Sequence, residues 1–461
     1  MKKHGSTTLI LYVALLVLFL VSQIKVSQIF KLLAAIYSTR RDQGMCFQDL
    51  RTILPISLGP QARANVGPAL SGPIICNRSH LSYDICSING PTLLDPNVST
   101  FYVTGPIDST PQMEKIQPYP RKWDRFRMSN IKEINLISGP SNPPCMVQHT
   151  ASALAFSVGG YDGDFFTDFY DEFIPLFITI NSVFSTRDYV LVISNAHDWW
   201  MWKYADLLQS FTKHPIIYLD DQKTTHCFPS ATIGLISLDL MAKNPKNPKP
   251  LPNLKTILPF HALLQKTYGQ NQNSISTPLK SRPQLVLAGR KGAIGRQIMN
   301  QAEVKKVAEE EGFDVIEFEP KYATSMRKVY ELMSSSHAMI GVHGAALTHF
   351  LFLRPGSVFM QVVPIGTQLL SEVCFGILAR EMRLEYMEYK IGVGESSLVE
   401  KYEKEDMIIK DPEAFLEKKG WSSETVEPYL KKQNVRFDLV RLRKHLKKAF
   451  VKAKAFMERE G

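Results

Sequence analysis

The residues best suited to chemistry in this chain lie between positions 340 and 364. An apolar run of strand type ends in His343, Gly344, Ala345 and Ala346, where the pattern predicts that a helix begins. The first N–H groups of a helix have no partner within it, and its dipole favours negative charge at that end. With a second apolar run at 358–363, the pattern predicts a strand–helix–strand unit with a phosphate-sized opening. A closely packed turn without a ligand is the alternative.

Two arginines could hold the same anion. Arg290 directly follows a predicted strand at 285–289, and Arg296 comes six residues later. An arginine at the carboxyl end of a strand, facing the helix start at 343–346, could bind a diphosphate through two hydrogen bonds. The alternative for each is a surface arginine in a loop. The glycines at 289–295 match neither a P-loop nor a dinucleotide fingerprint.

The elements that must position these residues alternate between strands and helices. We expect strands at 100–103, 190–194, 216–219 and 233–237, then a polar linker at 270–283. A second series follows, with strands at 285–288, 314–317 and 338–340 and helices at 298–311 and 324–335. This alternation predicts an α/β fold of two Rossmann-like domains that face each other across a cleft. In such sheets, ligands bind beyond the carboxyl ends of the strands.

Composition excludes a disordered chain and disfavours a nucleic-acid-binding one. Of 461 residues, 44% are hydrophobic, and the formal net charge is +10. From Lys431 to the end there are eleven Lys and Arg residues against three Asp and Glu. Apolar residues recur every three or four positions there, which predicts a basic amphipathic helix packed by one face. We therefore expect no nucleic acid partner.

The amino terminus predicts the compartment. Residues 5–24 carry no charge, and twenty helical residues span a bilayer. We expect a cytosolic tail at 1–8, an uncleaved transmembrane signal-anchor at 9–24, a stem at 25–73 and a lumenal body; a cleaved signal peptide is the alternative. The body divides into an amino-terminal domain at 74–275, a carboxy-terminal domain at 276–425 and the basic helix at 426–461.

Glycosylation and cysteine patterns agree with a lumenal body. Asn77 and Asn97 begin N-glycosylation triplets. All six cysteines follow the anchor, and Cys76 with Cys86 could close a short loop, although connectivity cannot be derived from sequence. No His/Cys cluster has zinc spacing.

Several motifs together carry a family resemblance. They include Lys115-Ile-Gln-Pro-Tyr-Pro-Arg-Lys-Trp123 and the segments 76–86, 156–168, 199–204, 226–229, 290–300, 341–364 and 433–435. On these, the chain resembles plant members of glycosyltransferase family 61, the Golgi enzymes that decorate xylan. The likeness covers nearly the whole predicted lumenal part. Segment 348–356 is more similar to the xylan xylosyltransferases than to the arabinofuranosyltransferases.

The resemblance implies a fold, an activity and a location. The expected fold is of GT-B type, in a single-pass type II protein of the Golgi membrane. The expected activity is inverting transfer of a pentose, with xylose favoured, from UDP-xylose or UDP-arabinofuranose to a xylan backbone. A xylan alpha-1,3-arabinofuranosyltransferase, or a catalytically silent homologue that binds glycan, is the alternative. A homodimer is a possible assembly.

Inverting transfer needs a base for the acceptor hydroxyl and stabilisation of the leaving diphosphate. We assign the diphosphate to Arg290, Arg296 and the 343–346 turn. Asp168, in the acidic segment 159–171, is the leading base, with a structural carboxylate as its alternative. His149, His226 and His343 are alternative bases.

Two further predictions concern the amino-terminal domain. Lys203, Tyr204 and His226 are expected on the acceptor side. Asp162 and Asp164 form an Asp-x-Asp pair that could hold Mn²⁺, but the pair does not end an apolar strand. We therefore expect no metal site and no cofactor.

Overall fold

The computed structural model describes residues 73–104, 112–139, 142–159, 164–238, 257–269, 281–290, 292, 295–321, 323–420 and 423–460. The predicted tail and anchor, nearly all of the predicted stem, most of the predicted linker and Asp162 lie outside the described residues. Among the described residues, no helix is long and apolar enough to cross a membrane.

The described strands form three sheets. They are β1 (Ile74–Asn77), β2 (Ile85–Ile88), β3 (Thr92–Asp95), β4 (Thr100–Thr104), β5 (Gln112–Ile116), β6 (Ile134–Gly139), β7 (Val147–Gln148), β8 (Ser152–Ser157), β9 (Tyr189–Ser194), β10 (Ile217–Tyr218), β11 (His226–Phe228), β12 (Ala231–Ile233), β13 (Gln284–Ala288), β14 (Asp314–Phe318), β15 (Ala338–Val342), β16 (Val358–Val363) and β17 (Glu385–Lys390).

The third sheet is wholly parallel, in the order β14-β13-β15-β16-β17. Strands β13, β15 and β16 are buried along their whole length, as expected of apolar runs covered on both faces. The strands predicted at 285–288, 314–317, 338–340 and 358–363 are confirmed to within two residues. Strand β17 was not predicted, because its sequence is weakly apolar and only one of its six residues is buried.

The first half of the described chain is more mixed than the expected single parallel sheet. The first sheet, β1-β2-β12-β8-β9-β10, is parallel only from β12 to β10. The second sheet, β5-β6-β4-β3-β11-β7, combines parallel and antiparallel pairs. Its strands are two to six residues long, and such short strands leave little periodic signal in a sequence.

Two disulfides crosslink segments of these sheets. Cys76 pairs with Cys86 across β1 and β2, which confirms the short loop considered from the sequence. Cys145 pairs with Cys227 beside β7 and β11. Asn77 and Asn97 are both exposed, whereas Ser99, the third residue of the second glycosylation triplet, is buried.

The helices cover the sheets. Two long helices contain a π-helical turn: Phe165–Thr167, Asp168–Phe173 and Ile174–Val183 form the 165–183 helix, and Gln368–Ser371, Glu372–Gly376 and Ile377–Glu381 form the 368–381 helix. The other described α-helices are Arg125–Met128, Asp198–Phe211, Ile257–Tyr268, Gln301–Glu310, Met326–Ser334, Met407–Lys410, Pro412–Lys419, Ser423–Val426 (continued by a π turn at Glu427–Lys431) and Leu439–Glu460. Short 3-10 turns lie at Pro96–Val98, Leu219–Asp221, Val393–Glu395 and Ser397–Glu400.

Three helix predictions are corrected. The helix expected after 343–346 is a 3-10 helix, Ala345–Phe352, whose last six residues are buried. The helix expected from 298 begins at Gln301, because Ile298 instead forms a β-bridge with Val435. The basic helix expected from 426 begins at Leu439, after this bridging segment.

One apolar core joins the two halves of the described chain. It runs from β8 and the 165–183 helix to β13, β15 and the 368–381 helix. The Tyr170 hydroxyl donates to the Cys374 carbonyl at 2.5 Å, and the ring of Phe165 stacks on His349 with centroids 4.0 Å apart. The 165–183 helix therefore lies directly against the elements that follow β15 and β16.

Candidate functional site

The candidate site lies at the carboxyl edge of the third sheet. Strands β13 and β15 are parallel neighbours, and Ala288 is paired with Gly341. The residues that follow them, Arg290 after β13 and His343 with Gly344 after β15, therefore emerge side by side. This is the edge where open α/β sheets bind ligands.

Both predicted arginines converge on Gly344. This glycine has φ +156°, and a Cβ placed there would lie 2.9 Å from Arg290 Nη1 and 3.3 Å from Arg296 Nη1. Two guanidinium groups thus lie against the backbone at the start of the 3-10 helix. Ala345 and Ala346, the first residues of that helix, are half-buried and small. The first 3-10 hydrogen bond runs from Leu347 N–H to the Gly344 carbonyl, so the N–H groups before it face outward from the helix.

Arg296 is held by its own loop and by a distant segment. It is 2% exposed and has a left-handed backbone with φ +58°, which costs a non-glycine residue about 1 kcal/mol. Its N–H donates to the Gln433 carbonyl at 2.5 Å, and its Nη1 donates to the His343 carbonyl at 3.3 Å. Gln433 is fixed in turn by bonds with Ile365 and Ser396. The 433–435 motif therefore serves to position Arg296.

His343 is a buried, neutral imidazole. Burial, and then the nearby charges of Arg296 and Arg290, hold its pKa well below its usual range. The Tyr386 hydroxyl donates to Gln361 Oε1 at 2.7 Å, which turns Gln361 Nε2 towards His343 Nδ1 at 3.1 Å. Nδ1 is then an acceptor, and this network assigns the ring proton to Nε2. His343 is thus built to donate a hydrogen bond.

Asp164, in the first half of the chain, is buried where the charges of the two arginines act on it. It is 6% exposed and caps the 165–183 helix, accepting from Phe166 N–H at 3.0 Å. Burial raises its pKa, while the Phe166 N–H and the charges of Arg127, Arg290 and Arg296 act in the opposite direction. The sequence suggested Asp164 only as half of a metal-binding pair. Among the described residues, no group of three or more His, Cys, Asp or Glu could hold a metal ion.

Asp168, the predicted base, and Tyr204, predicted on the acceptor side, bind each other instead. The Tyr204 hydroxyl donates to Asp168 Oδ2 at 2.5 Å, and both residues are buried. Burial and the adjacent Asp168 charge raise the pKa of Tyr204 well above its usual range. This interior pair agrees with the structural alternative for Asp168, whose role as base stays a prediction.

Lys203 and His226 lie in different places. The Lys203 ammonium lies over the ring of Phe165 at 5.6 Å, beside His349, where the two halves meet. His226 lies in β11, and its Nδ1 is 3.0 Å from His149 Nε2. Burial lowers the pKa of both histidines. The two histidines thus form a pair of their own in the second sheet.

Gln301 and Glu319 lie beside the site and were not predicted from the sequence. A Cβ at Gly289 would lie 3.0 Å from Gln301 Oε1 and 3.1 Å from Glu319 Oε1. Glu319 directly follows β14, the neighbour of β13. An acid near the site in a strand–helix–strand unit is the residue type that binds ribose hydroxyls in dinucleotide folds. Its position two residues beyond the strand predicted at 314–317 was the available signal.

Known proteins resemble this chain over most of its length. The family model described as glycosyltransferase 61 matches residues 165–360. The xylan glycosyltransferase MUCI21 of Arabidopsis thaliana is 37% identical over 82% of this chain and 80% of its own length. The alpha-1,3-arabinosyltransferase XAT3 and the beta-1,2-xylosyltransferase XAX1 of Oryza sativa subsp. japonica are each 31% identical, over 80% and 78% of this chain. The matched region spans 63% of each of these two rice proteins.

Proposed function

This chain belongs to glycosyltransferase family 61, and we propose that it transfers a pentose, with xylose favoured, from a UDP-sugar to a xylan backbone as a side chain. As a family member it is a glycosyltransferase. The names of its relatives, which include xylan, xylosyl and arabinosyl transferases, support this substrate class.

The observation that carries the proposal is the convergence of Arg290 and Arg296 on Gly344. Two guanidinium groups beside a helix start present several N–H donors and two positive charges, which match the oxygens of a diphosphate. We assign the diphosphate of the donor to this corner, with the small side chains of Ala345 and Ala346 leaving room for it. His343 Nε2–H adds a neutral donor, and Glu319 accepts from the ribose hydroxyls.

The transfer then proceeds with inversion at the sugar. The acceptor oxygen forms a bond to C1 as the bond from C1 to the diphosphate oxygen breaks, and UDP leaves. The two arginines stabilise the negative charge that develops on the diphosphate, so no metal is needed for that step. The acceptor proton goes to a carboxylate of the first half of the chain. Asp168 is the base predicted from the sequence, and Asp164 is the carboxylate on which the charges of Arg290 and Arg296 act.

The base is identified by a pair of substitutions. Asp164→Asn and Asp168→Asn each keep the shape of the side chain but remove its basicity. We expect the variant that lacks the base to lose turnover by about 100-fold or more while it binds UDP unchanged. A variant with native turnover excludes that carboxylate as the base.

The fold type and location are part of the same proposal. The parallel third sheet and the carboxyl-edge arginines support a GT-B fold with the donor in the carboxy-terminal half. The apolar residues 9–24 support a signal-anchor of a type II Golgi membrane protein. An alpha-1,3-arabinofuranosyltransferase is the second candidate, favoured by the 31% identity to a protein named as an alpha-1,3-arabinosyltransferase.

Metal dependence is tested with a chelator. The purified chain is assayed for pentose transfer with and without EDTA. We expect equal rates, because the arginines supply the charge that Mn²⁺ would otherwise supply. Complete loss with EDTA, restored by Mn²⁺, would contradict the metal-free mechanism.

A further inference from the structure

A polar pocket lies at the carboxyl edge of the first sheet, away from the arginine corner. The segment 117–133 crosses this edge. Ser157 N–H, at the end of β8, donates to the Pro118 carbonyl at 2.9 Å. Lys132 Nζ is 3.0 Å from Asp220, whose other oxygen accepts from Asn195 N–H after β9. The pocket between this segment and the loop after β1 has a volume of about 470 Å³.

One lining residue of the pocket, Tyr119, packs against the backbone that follows β8. Tyr119 lines the pocket, and its hydroxyl donates to buried Asp171 at 3.0 Å. A Cβ at Gly159 would lie 2.9 Å from the Tyr119 ring, so this ring packs directly beneath Gly159. Tyr119 thereby joins the pocket to the backbone that follows β8 and to buried Asp171.

The lining of the pocket alternates in charge. Arg78 and Lys122 both bind Asp84, at 3.0 and 2.7 Å, and Lys115 is 3.5 Å from Glu133. These pairs place donors and acceptors side by side. A phosphate or nucleotide would meet the carboxylates Asp84 and Glu133 here, so a simple anion is disfavoured. Sugar hydroxyls need donors and acceptors together, and this lining supplies both.

Two other lining residues, Arg125 and Gln117, offer polar groups to a ligand. Arg125 is exposed and has no ion pair within the described part of the chain. Gln117 donates through Nε2 to the carbonyls of Met128 and Ile131, at 2.7 and 3.0 Å, which fixes the amide and leaves its oxygen as an acceptor. A fixed amide and an exposed guanidinium are typical orienting groups of a polar binding pocket.

We propose that this pocket is a remote subsite for the acceptor, binding neutral sugar residues of the polysaccharide at a distance from the hydroxyl that is glycosylated. The inference rests on the proposed function, because it takes the acceptor to be a sugar chain. Its consequence is a dependence on acceptor length: longer chains reach the pocket and shorter chains do not. Binding of sugar residues far from the reacting centre then lowers KM without contributing to the chemical step.

The test compares acceptors of two to six xylose units on the purified full-length chain. In the native protein, we expect KM to fall by about 10-fold or more from xylobiose to xylohexaose, equivalent to one added charged hydrogen bond. Arg125→Ala, and Ser129→Trp, which places a bulky ring at the exposed rim of the pocket, remove that gain. Both leave kcat and the KM for xylobiose within about 2-fold of native, because neither residue touches the donor site.

A matched control lies at the other edge of the same sheet. Arg187 is exposed and precedes β9, so Arg187→Ala removes an equivalent charge away from the pocket and keeps the native length dependence. The inference is overturned if native KM is the same for all lengths, or if both pocket variants keep the gain. It is also overturned if the pocket binds sulfate and xylohexaose binding is unaffected by Ser129→Trp.

Calorimetry separates this inference from the proposed function. Titration with xylohexaose in the absence of donor measures acceptor binding even if no sugar is transferred. Binding that Ser129→Trp weakens by about 10-fold, in a chain that transfers nothing, supports the pocket and counts against the enzyme. Transfer that proceeds equally well on every acceptor supports the enzyme and counts against the pocket.

Discussion

At the scale of single residues, the site depends on backbone positions as much as on side chains. Arg296 is useful only because an unfavourable left-handed backbone and a bond to Gln433 aim its guanidinium at the His343 carbonyl. Gly344 leaves the space in which two arginines meet. The residue types at 290, 296 and 343–346 predicted that the two arginines lie against the start of the helix that follows. Spacing alone could not predict the left-handed backbone of Arg296, since it is imposed by contacts with residues more than 130 positions away.

Removing Arg290 tests the assignment of the diphosphate. We expect Arg290→Ala to weaken UDP binding by about 10- to 150-fold, the range of a charged hydrogen bond of 1.5–3 kcal/mol. Isothermal titration with UDP measures it. Arg187→Ala, an arginine at the amino end of β9, serves as the control and keeps native affinity. Unchanged affinity in Arg290→Ala removes this arginine from the site.

Adding one methyl group tests the space between the arginines. In Gly344→Ala, the new Cβ meets Arg290 Nη1 at 2.9 Å, and the positive φ of this position disfavours alanine. We expect UDP affinity to fall by about 10-fold or more, the equivalent of 1.4 kcal/mol, as the guanidinium groups are pushed apart. Far-UV circular dichroism checks that the fold is retained. Native affinity in a folded Gly344→Ala protein would contradict the proposed geometry.

At the scale of elements, the parallel third sheet was predicted well and the rest of the described fold less well. Runs such as 358–363 are apolar throughout, which is typical of strands buried on both faces. Strands β7, β10 and β11 have two or three residues each, and their pairing is set by long-range contacts and disulfides. The sequence of Ala345–Phe352 is as apolar as that of a buried α-helix. Its pattern therefore did not distinguish the 3-10 geometry from an α-helix.

The buried histidine of that 3-10 helix predicts acid sensitivity. Burial is the main cause that lowers the pKa of His349 from its usual 6.5 to about 3. The unfolded chain therefore binds a proton below pH 6.5 that the folded chain does not, and stability falls as pH falls. One such histidine lowers the unfolding free energy by about 2 kcal/mol between pH 7 and 5.

His349→Asn removes this proton while it keeps a donor for the Ala346 carbonyl, which His349 Nδ1 reaches at 2.8 Å. Urea denaturation at pH 7 and 5 measures the difference. We expect the loss on acidification to be smaller in the variant by about 2 kcal/mol, with the remainder due in part to buried His343. An identical loss in both proteins would show that His349 is protonated in the folded state.

The carboxylate at the centre of a second buried cluster predicts a large loss of stability. Asp171 accepts from Arg121 Nε at 2.6 Å and from the Tyr119 hydroxyl at 3.0 Å, with Arg127 Nη1 at 3.4 Å. Burial and the charge of Arg127 already lower the pKa of Arg121 to about 10. We expect Asp171→Asn to reduce the unfolding free energy by about 3–5 kcal/mol, because it leaves buried positive charge without its counter-charge.

Thermal denaturation compares Asp171→Asn with Asp188→Asn. Asp188 is 59% exposed at its side chain and pairs only with His214 among the described residues, so its loss changes stability by about 1 kcal/mol at most. Equal melting temperatures for the two variants would mean that the Asp171 cluster contributes no more than a surface ion pair.

At the scale of the whole molecule, the groups that we assign to the donor and to the acceptor come from different halves of the chain. The arginine corner belongs to the second half, while Asp164 and the polar pocket belong to the first. The core that joins the halves holds them in register through contacts such as Tyr170 with Cys374. From the sequence, two alternating series of strands and helices predicted a donor half and an acceptor half, and this division stays a prediction. The sequence could not predict which carboxylate lies near the arginines, because that depends on how the halves pack.

Pentose transfer is the most direct measurement. The purified full-length chain is incubated with xylohexaose and, in separate reactions, UDP-xylose and UDP-arabinofuranose, and the products are separated by mass. We expect one pentose to be added with release of one UDP, with UDP-xylose the better donor and with Arg290→Ala strongly impaired. No transfer from either donor, by a folded protein that still binds xylohexaose, would contradict a catalytic role and leave a glycan-binding homologue.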